Sequence, residues 1–246
     1  MRSAAARAWL LVAVTGLAAT PPARSGDLRL EPVPLSLHPG EESTTLWLSN
    51  TGERPLLAQV RLFSWVQQDG GEVLGATDSL AVSPPLLQVA PHARQRLRLV
   101  RLRPGAPATE TAHRLIVEEL SARDASADAG ASGRRRYSIP VFTLPATTQA
   151  PARLAARIER NAAGEPVLRL RNSGGRHARV AALAFVDAHG KRRLLAPGLA
   201  GYVLAGAYKD WPLPADLDVA PPGHFEADVD GQALRLAPGP PPPAAR

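Results

Sequence analysis

Apolar and polar residues alternate along this chain with a period of two, and one such pattern occurs twice. Residues 44–52 read Thr-Thr-Leu-Trp-Leu-Ser-Asn-Thr-Gly, and residues 166–174 read Pro-Val-Leu-Arg-Leu-Arg-Asn-Ser-Gly. Period-two alternation marks a strand with one buried face. Each strand runs into an Asn-x-Gly corner, where Asn or Gly is expected to supply left-handed backbone. A second apolar strand follows each corner, Leu56–Phe63 in one copy and Ala178–Phe185 in the other. The two asparagines, Asn50 and Asn172, lie 122 residues apart. A unit repeated at that distance predicts two similar β domains in tandem.

The first half holds seven strand-like runs: Leu28–Leu37, Thr44–Ser49, Leu56–Val66, Leu86–Val89, Arg96–Leu102, His113–Leu120 and Arg136–Leu144. Short strands at this spacing, bounded by Pro, Gly, Asn and Asp, are the signature of an immunoglobulin-like sandwich. The second half predicts strands near Ala152–Arg160, Pro166–Arg171, Ala178–Val186, Lys191–Ala196, Gly201–Leu213 and Gly223–Leu236. Few helices are expected, because Pro is abundant and helical periodicity is scarce. Residues 121–133 are small and polar and read as a mobile loop, and residues 145–152 read as an interdomain linker. The fold expected is all-β, with a first sandwich over 26–145, a second over 150–236, and a disordered Pro-rich tail over 237–246.

The first 25 residues read as a secretory signal. Arg2 and Arg7 precede an apolar stretch of 11 residues, Trp9–Ala19, too short to span a bilayer. Ala23-Arg24-Ser25 is a fitting cleavage site. Removing residues 1–25 lowers the formal charge from +7 to +4, so the basicity does not argue for nucleic acid. The chain has no Cys, which excludes a small disulfide scaffold.

The sequence offers little enzymatic chemistry. The six His are scattered, and none has zinc-ligand spacing. Asp187-Ala188-His189 reads as a hairpin turn, and Asp69-Gly70-Gly71 as turn chemistry. No Gly-x-Ser-x-Gly elbow, P-loop or nucleotide fingerprint occurs. Trp47 and Trp65 alternate with apolar strand residues and read as core. No catalytic residue, metal, cofactor, nucleic acid or small-molecule substrate is implied.

With its strands laid out, the chain resembles the periplasmic pilus-assembly chaperones, the PapD-like family. It is most similar to the archaic, or sigma, branch that serves spore-coat-type and Csu-type pili. The matching stretches are Pro39-Gly40, Leu48–Gly52, Val60–Trp65, Asp69–Gly71, Val82–Pro85, Val89–Pro91 with Arg98, His113–Leu115 leading to Glu118–Leu120, and Arg136–Phe142. The second half matches mainly by architecture and by the Asn172–Gly174 turn. The resemblance implies two immunoglobulin-like sandwiches set in an L. It also implies a chaperone in the periplasm that lends an edge strand to a pilin or spore-coat-like subunit. An outer-membrane usher then receives the complex. The alternative is a secreted two-domain sandwich that is itself a structural or adhesive surface protein.

The donor strand implied by the resemblance lies in or just before Arg136–Leu144, with Arg135, Tyr137, Ile139 and Val141 on one face. The same apolar residues could instead fill the chain's own core. Upstream, Ser132-Gly133-Arg134-Arg135 stands where the family usually has large alternating apolar residues. The family also anchors the subunit's terminal carboxylate. In its other branch an Arg and a Lys do this, at places that here hold Pro34 and Pro140. His113-Arg114-Leu115 offers Arg114 in their stead, with Arg101 and Arg103 in reserve. A guanidinium suits the task because its fork pairs both carboxylate oxygens.

Overall fold

The computed structural model describes residues 28–120, 135–217, 219 and 223–236. The signal segment, the whole 121–133 loop, Arg134 and the Pro-rich tail lie outside them. Seventeen strands and no helix are found among the described residues.

The first sandwich is built from β1 (Leu28–Glu31), β2 (Leu35–Leu37), β3 (Ser43–Asn50), β4 (Leu56–Gln68), β5 (Gly71–Gly75), β6 (Leu80–Ser83), β7 (Leu86–Val89), β8 (Arg94–Arg101), β9 (Thr111–Leu120) and β10 (Arg136–Thr143). One sheet has the order β1-β3-β8-β6. The other has the order β2-β10-β9-β4-β5, with β7 also on β4. Leu46 and Leu48 of β3, with Leu97 and Leu99 of β8, face Val60, Leu115, Val117, Ile139 and Val141 across the core. Each fully buried side chain of this size contributes about 1.5–3 kcal/mol.

The expected run Leu28–Leu37 is two strands. Pro32 and Pro34 carry no N–H for a ladder. The chain changes sheet there, so that β1 pairs β3 and β2 runs parallel to β10. Strands β5 and β6 escaped the sequence reading because neither is an alternating apolar run.

The second sandwich holds β11 (Leu154–Arg160), β12 (Pro166–Asn172), β13 (Ala178–Val186), β14 (Arg192–Val203), β15 (Tyr208–Pro212), β16 (His224–Val229) and β17 (Gln232–Leu236). Its sheets have the orders β11-β12-β15 and β14-β13-β16-β17. The core gathers Leu168, Leu170, Val180, Leu183, Val203 and the Phe185–Phe225 pair, whose ring centroids are 5.1 Å apart. The register of β13 against β14 shifts between Val180 and Ala184. That irregularity lets β14 run through Pro197-Gly198 to Val203, where the sequence suggested a break. The expected single run Gly201–Leu213 instead divides between the two sheets.

A third cluster joins the sandwiches. Trp65 and Phe142 of the first pack against Tyr202 and Leu204 of the second. The Gln67 amide clamps the same place, donating to the Tyr202 carbonyl at 2.7 Å and accepting from the Leu204 N–H at 2.9 Å. His177 stacks on Phe142 with centroids 3.5 Å apart, and its N–H and Nδ1 lie 2.7 and 2.8 Å from the Glu110 carboxylate.

Candidate functional site

Strand β10 is unevenly paired. Along its whole length it pairs β9, from Arg136 opposite Glu118 to Thr143 opposite Thr111. On its other side β2 covers only Val141, Phe142 and Thr143. Among the described residues, the stretch Arg136–Ile139 is therefore a sheet edge. The Glu119 N–H bonds to the Arg135 carbonyl at 3.0 Å. By the alternation of an antiparallel ladder, odd-numbered residues of β10 bond to β9 and even-numbered ones turn their main chain outward. The edge thus presents the N–H and C=O of Arg136 and Ser138, whereas the C=O of Pro140 faces β2, where Leu35 pairs Val141. Proline there leaves a position with no donor, as edge strands tolerate.

The side chains of this strand serve a different purpose from the one expected of them. Ile139 and Val141 are buried in the chain's own core, and Tyr137 packs against it. The Tyr137 hydroxyl donates to Glu119 at 3.3 Å; burial first, then the Glu119 charge, raises its pKa. Ile139 and Val141 cannot also fill a partner's groove while the core stays closed. Arg135, Arg136 and Ser138 are exposed. Arg136 and Arg61 share the Glu118 carboxylate, at 3.5 and 2.7 Å. The position of Ser132, Gly133 and Arg134, where further donor side chains were sought, lies outside the described residues.

Arg114 sits opposite Pro140 across the β9–β10 ladder, on the outer face of that sheet. Its guanidinium lies 3.6 Å from the Trp65 ring centroid and 5.8 Å from that of Tyr202. Its Nη2 donates to Glu72 Oε2 at 3.1 Å, and the other Glu72 oxygen accepts from Lys209 of the second sandwich at 3.0 Å. The side chain is only 11% exposed. Cation–π stacking and a charge-assisted bond explain how an arginine is held among aromatic rings.

Arg101 and Arg103 are elsewhere. They line a cleft of about 890 Å³ between the open end of the first sandwich and the 204–208 turn of the second. Arg103 pairs with Asp78 on the surface. Arg101 Nη2, His113 Nδ1 and Thr143 Oγ1 are buried there without a hydrogen-bond partner in the protein. Burial lowers the His113 pKa to about 4, so the ring is neutral near pH 7, with Nε2 2.9 Å from Ser79 Oγ. The three candidate anchors thus lie apart, Arg114 on β9 of one sheet, Arg101 at the end of β8 in the other, and Arg103 just beyond it.

Two features of the site were missed in the sequence. Gly70, read only as turn chemistry, has φ +76°, and its carbonyl accepts from the Asp210 N–H at 3.0 Å. A Cβ there would lie 2.3 Å from Asp210 Oδ2. The Glu72–Lys209 bridge joins elements too far apart in sequence to be paired by spacing. Trp47 is a correction: Leu46 and Leu48 take the core positions, so Trp47 points outward and stacks against Arg94 at 3.9 Å. Among the described residues no cluster of His, Cys, Asp or Glu could hold a metal ion.

Residues 27–149 match the family of pili and flagellar-assembly chaperones, in its PapD N-terminal domain. Among solved structures, a chain of the CsuC–CsuE chaperone–tip adhesion subunit complex of Acinetobacter baumannii is 21% identical, with a TM-score of 0.69 over 87% of this chain and 99% of that one. The E. coli chaperone DraB is 18% identical, with a TM-score of 0.56 over 88% and 97%. A chain of the Salmonella enterica SafA pilin–SafB chaperone complex is 16% identical, with a TM-score of 0.57 over 87% and 98%. No curated protein matches the chain. The match over residues 27–149 covers half of the chain, which therefore belongs to the PapD-like family of pilus-assembly chaperones.

Proposed function

We propose that this protein holds a pilin or spore-coat-like subunit by lending it the free edge of β10, in the periplasm, and passes it to an outer-membrane usher. The observation that carries this reading is the half-paired strand. Among the described residues, the edge Arg136–Ile139 has outward main-chain groups and no partner strand on that side. A subunit lacking one strand can extend its own ladder along such an edge. Main-chain bonds then supply the register, and the outward positions Arg136 and Ser138 meet the subunit. The export signal read over residues 1–25 fits this compartment.

Arg114 is the anchor we assign to the subunit's terminal carboxylate. It lies beside Pro140, on the element next to the edge. Glu72 now occupies it, and Glu72 has a second cation in Lys209. An incoming carboxylate can take the Arg114 fork without leaving Glu72 unpaired. Arg101 and Arg103 face the separate cleft and do not adjoin the β10 edge.

Co-expression with the cognate subunit tests the reading. The subunit is expected to stay soluble in a 1:1 complex without ATP, because strand pairing needs no chemical energy input. Equal accumulation of soluble subunit without the chaperone would overturn it.

A further inference from the structure

The outer face of the β1-β3-β8-β6 sheet carries a row of arginines. Leu97 and Leu99 point into the core, so the alternate residues Arg94, Arg96 and Arg98 of β8 point outward, and all three are exposed. Arg29 of β1 is exposed and opposite Ser49, which is opposite Arg94. Alternate residues along a strand are about 7 Å apart and adjacent strands about 4.8 Å. The four guanidinia therefore spread over roughly 14 by 10 Å. On that face the strands present one acid, Glu31, opposite Trp47.

Among the described residues, none of these four arginines makes an ion pair. Arg94 lies against Trp47, and Arg98 donates to Ser43 at 3.0 and 2.9 Å. The other sheet differs, for its outward Arg61 and Arg136 both pair with Glu118. Like charges on one sheet face repel. A row kept free of acids raises the local positive potential and attracts an anionic partner.

We propose that this face docks an acidic polypeptide segment of a partner protein. An extended segment with carboxylates at alternate positions repeats at about 7 Å, the spacing of the β8 row. Each guanidinium fork accepts one carboxylate in two parallel bonds. A lipid bilayer is a poorer fit, since none of the exposed large apolar side chains lies in β1, β3, β8 or β6 to enter it. A second copy is disfavoured by a net charge that stays positive, +4, after removal of residues 1–25. Segments of the chain outside the described residues cannot fill the role either. Residues 1–25 and 237–246 contain no acid, and the two Asp within 121–134 are matched by two Arg.

The arginine row and the β10 edge belong to different sheets. The partner and a strand-borrowing subunit can therefore bind together; that clause rests on the function proposed above, whereas the docking face does not.

The test uses the full mature chain and a fluorescent Glu-Thr alternating decapeptide, read by anisotropy at low and moderate salt. Wild-type protein is expected to bind, with affinity falling as salt rises. Arg96→Glu with Arg98→Glu is expected to weaken binding by at least about tenfold. Arg153→Glu with Arg160→Glu makes the same charge change at exposed positions of the second sandwich and is expected to leave binding within about twofold. Thermal melting confirms that both variants are folded. Absence of binding by wild type, or equal loss in the two variants, overturns the proposal. Tighter binding to phosphatidylglycerol vesicles than to the peptide, lost in the Arg96→Glu/Arg98→Glu variant, overturns it in favour of a lipid surface.

Discussion

Asn50 and Asn172 make the same set of hydrogen bonds in the two sandwiches. Each Oδ1 accepts from the N–H two residues on, Gly52 at 2.9 Å and Gly174 at 2.9 Å. Each Nδ2 donates to the carbonyl four residues on, Arg54 at 2.8 Å and Arg176 at 2.7 Å. The same amide also reaches the end of a distant strand, Val89 at 3.0 Å and Val203 at 3.2 Å. Even the main-chain N–H groups match, bonding to Ala93 and Ala207 at 2.9 Å each. Neither Asn, nor Gly52 or Gly174, has positive φ. The expected left-handed corner is therefore replaced by a side chain that mimics a turn of backbone.

Asn172→Ala is expected to cost about 3 kcal/mol, because it strips buried partners from two N–H groups and two carbonyls at once. Arg153 N–H is the second donor lost, at 3.0 Å from Oδ1. Urea denaturation measures this, and Asn50→Ala should fall in the same range. A loss below 1 kcal/mol at both sites would show that water replaces the amide without penalty.

His113 makes stability depend on pH. Its pKa is about 4 in the folded chain, lowered by burial, against about 6.5 when unfolded. Between those values the unfolded state binds one proton more, so stability rises with pH through that window. The full contribution is present above pH 6.5 and falls by roughly 3 kcal/mol toward pH 4. Urea midpoints at pH 4.5, 5.5 and 7 should therefore separate wild type from His113→Gln by a shrinking margin as pH falls. Parallel profiles would remove His113 as the cause.

Gly70→Ala tests the junction. The substitution meets positive φ and a carboxylate that cannot move freely, since Asp210 is held by Arg169 at 2.8 and 2.7 Å. A loss of about 1–3 kcal/mol is expected, together with faster protease cleavage in the segment 145–152. Gly71→Ala is the control, because its Cβ would meet only the Gln68 carbonyl at 3.6 Å and φ is not positive there. Equal sensitivity of the two variants would contradict the contact.

Sandwich architecture was legible because alternation reports which face is buried, and Leu46, Leu48, Leu97 and Leu99 obey it. The same rule placed Ile139 and Val141 together on one face but could not say whose groove that face fills. Alternation carries no information on partners; only the closed core shows that these side chains are already committed. Trp47 was misread because hydrophobicity outweighed its position in the period, between two core leucines. Arg114 was singled out as an arginine inside an apolar strand, yet its bridge to Glu72 and Lys209 depends on how two sandwiches meet. Such a relation has no local sequence signal.

Arg114→Ala is expected to abolish subunit capture. Losing one partner of a desolvated charge pair costs roughly 2–5 kcal/mol, a factor of at least about 30 in affinity. Arg114→Lys should rescue part of this, since a point charge replaces a fork. Stability must be separated from capture, because Arg114 also stacks on Trp65 and holds Glu72 at the junction. Glu72→Gln is the discriminating variant. It disturbs the same junction but leaves the guanidinium charged and less occupied, so capture should be retained or strengthened. The subunit supplies the other half of the comparison. Amidating its C-terminus should weaken binding to wild type as much as Arg114→Ala does, and should have no further effect on that variant. If Arg114 only braces the junction, amidation will weaken binding to wild type and Arg114→Ala alike. In that case Arg101→Ala and Arg103→Ala, tested beside it, show whether the cleft between the first sandwich and the 204–208 turn holds the carboxylate instead.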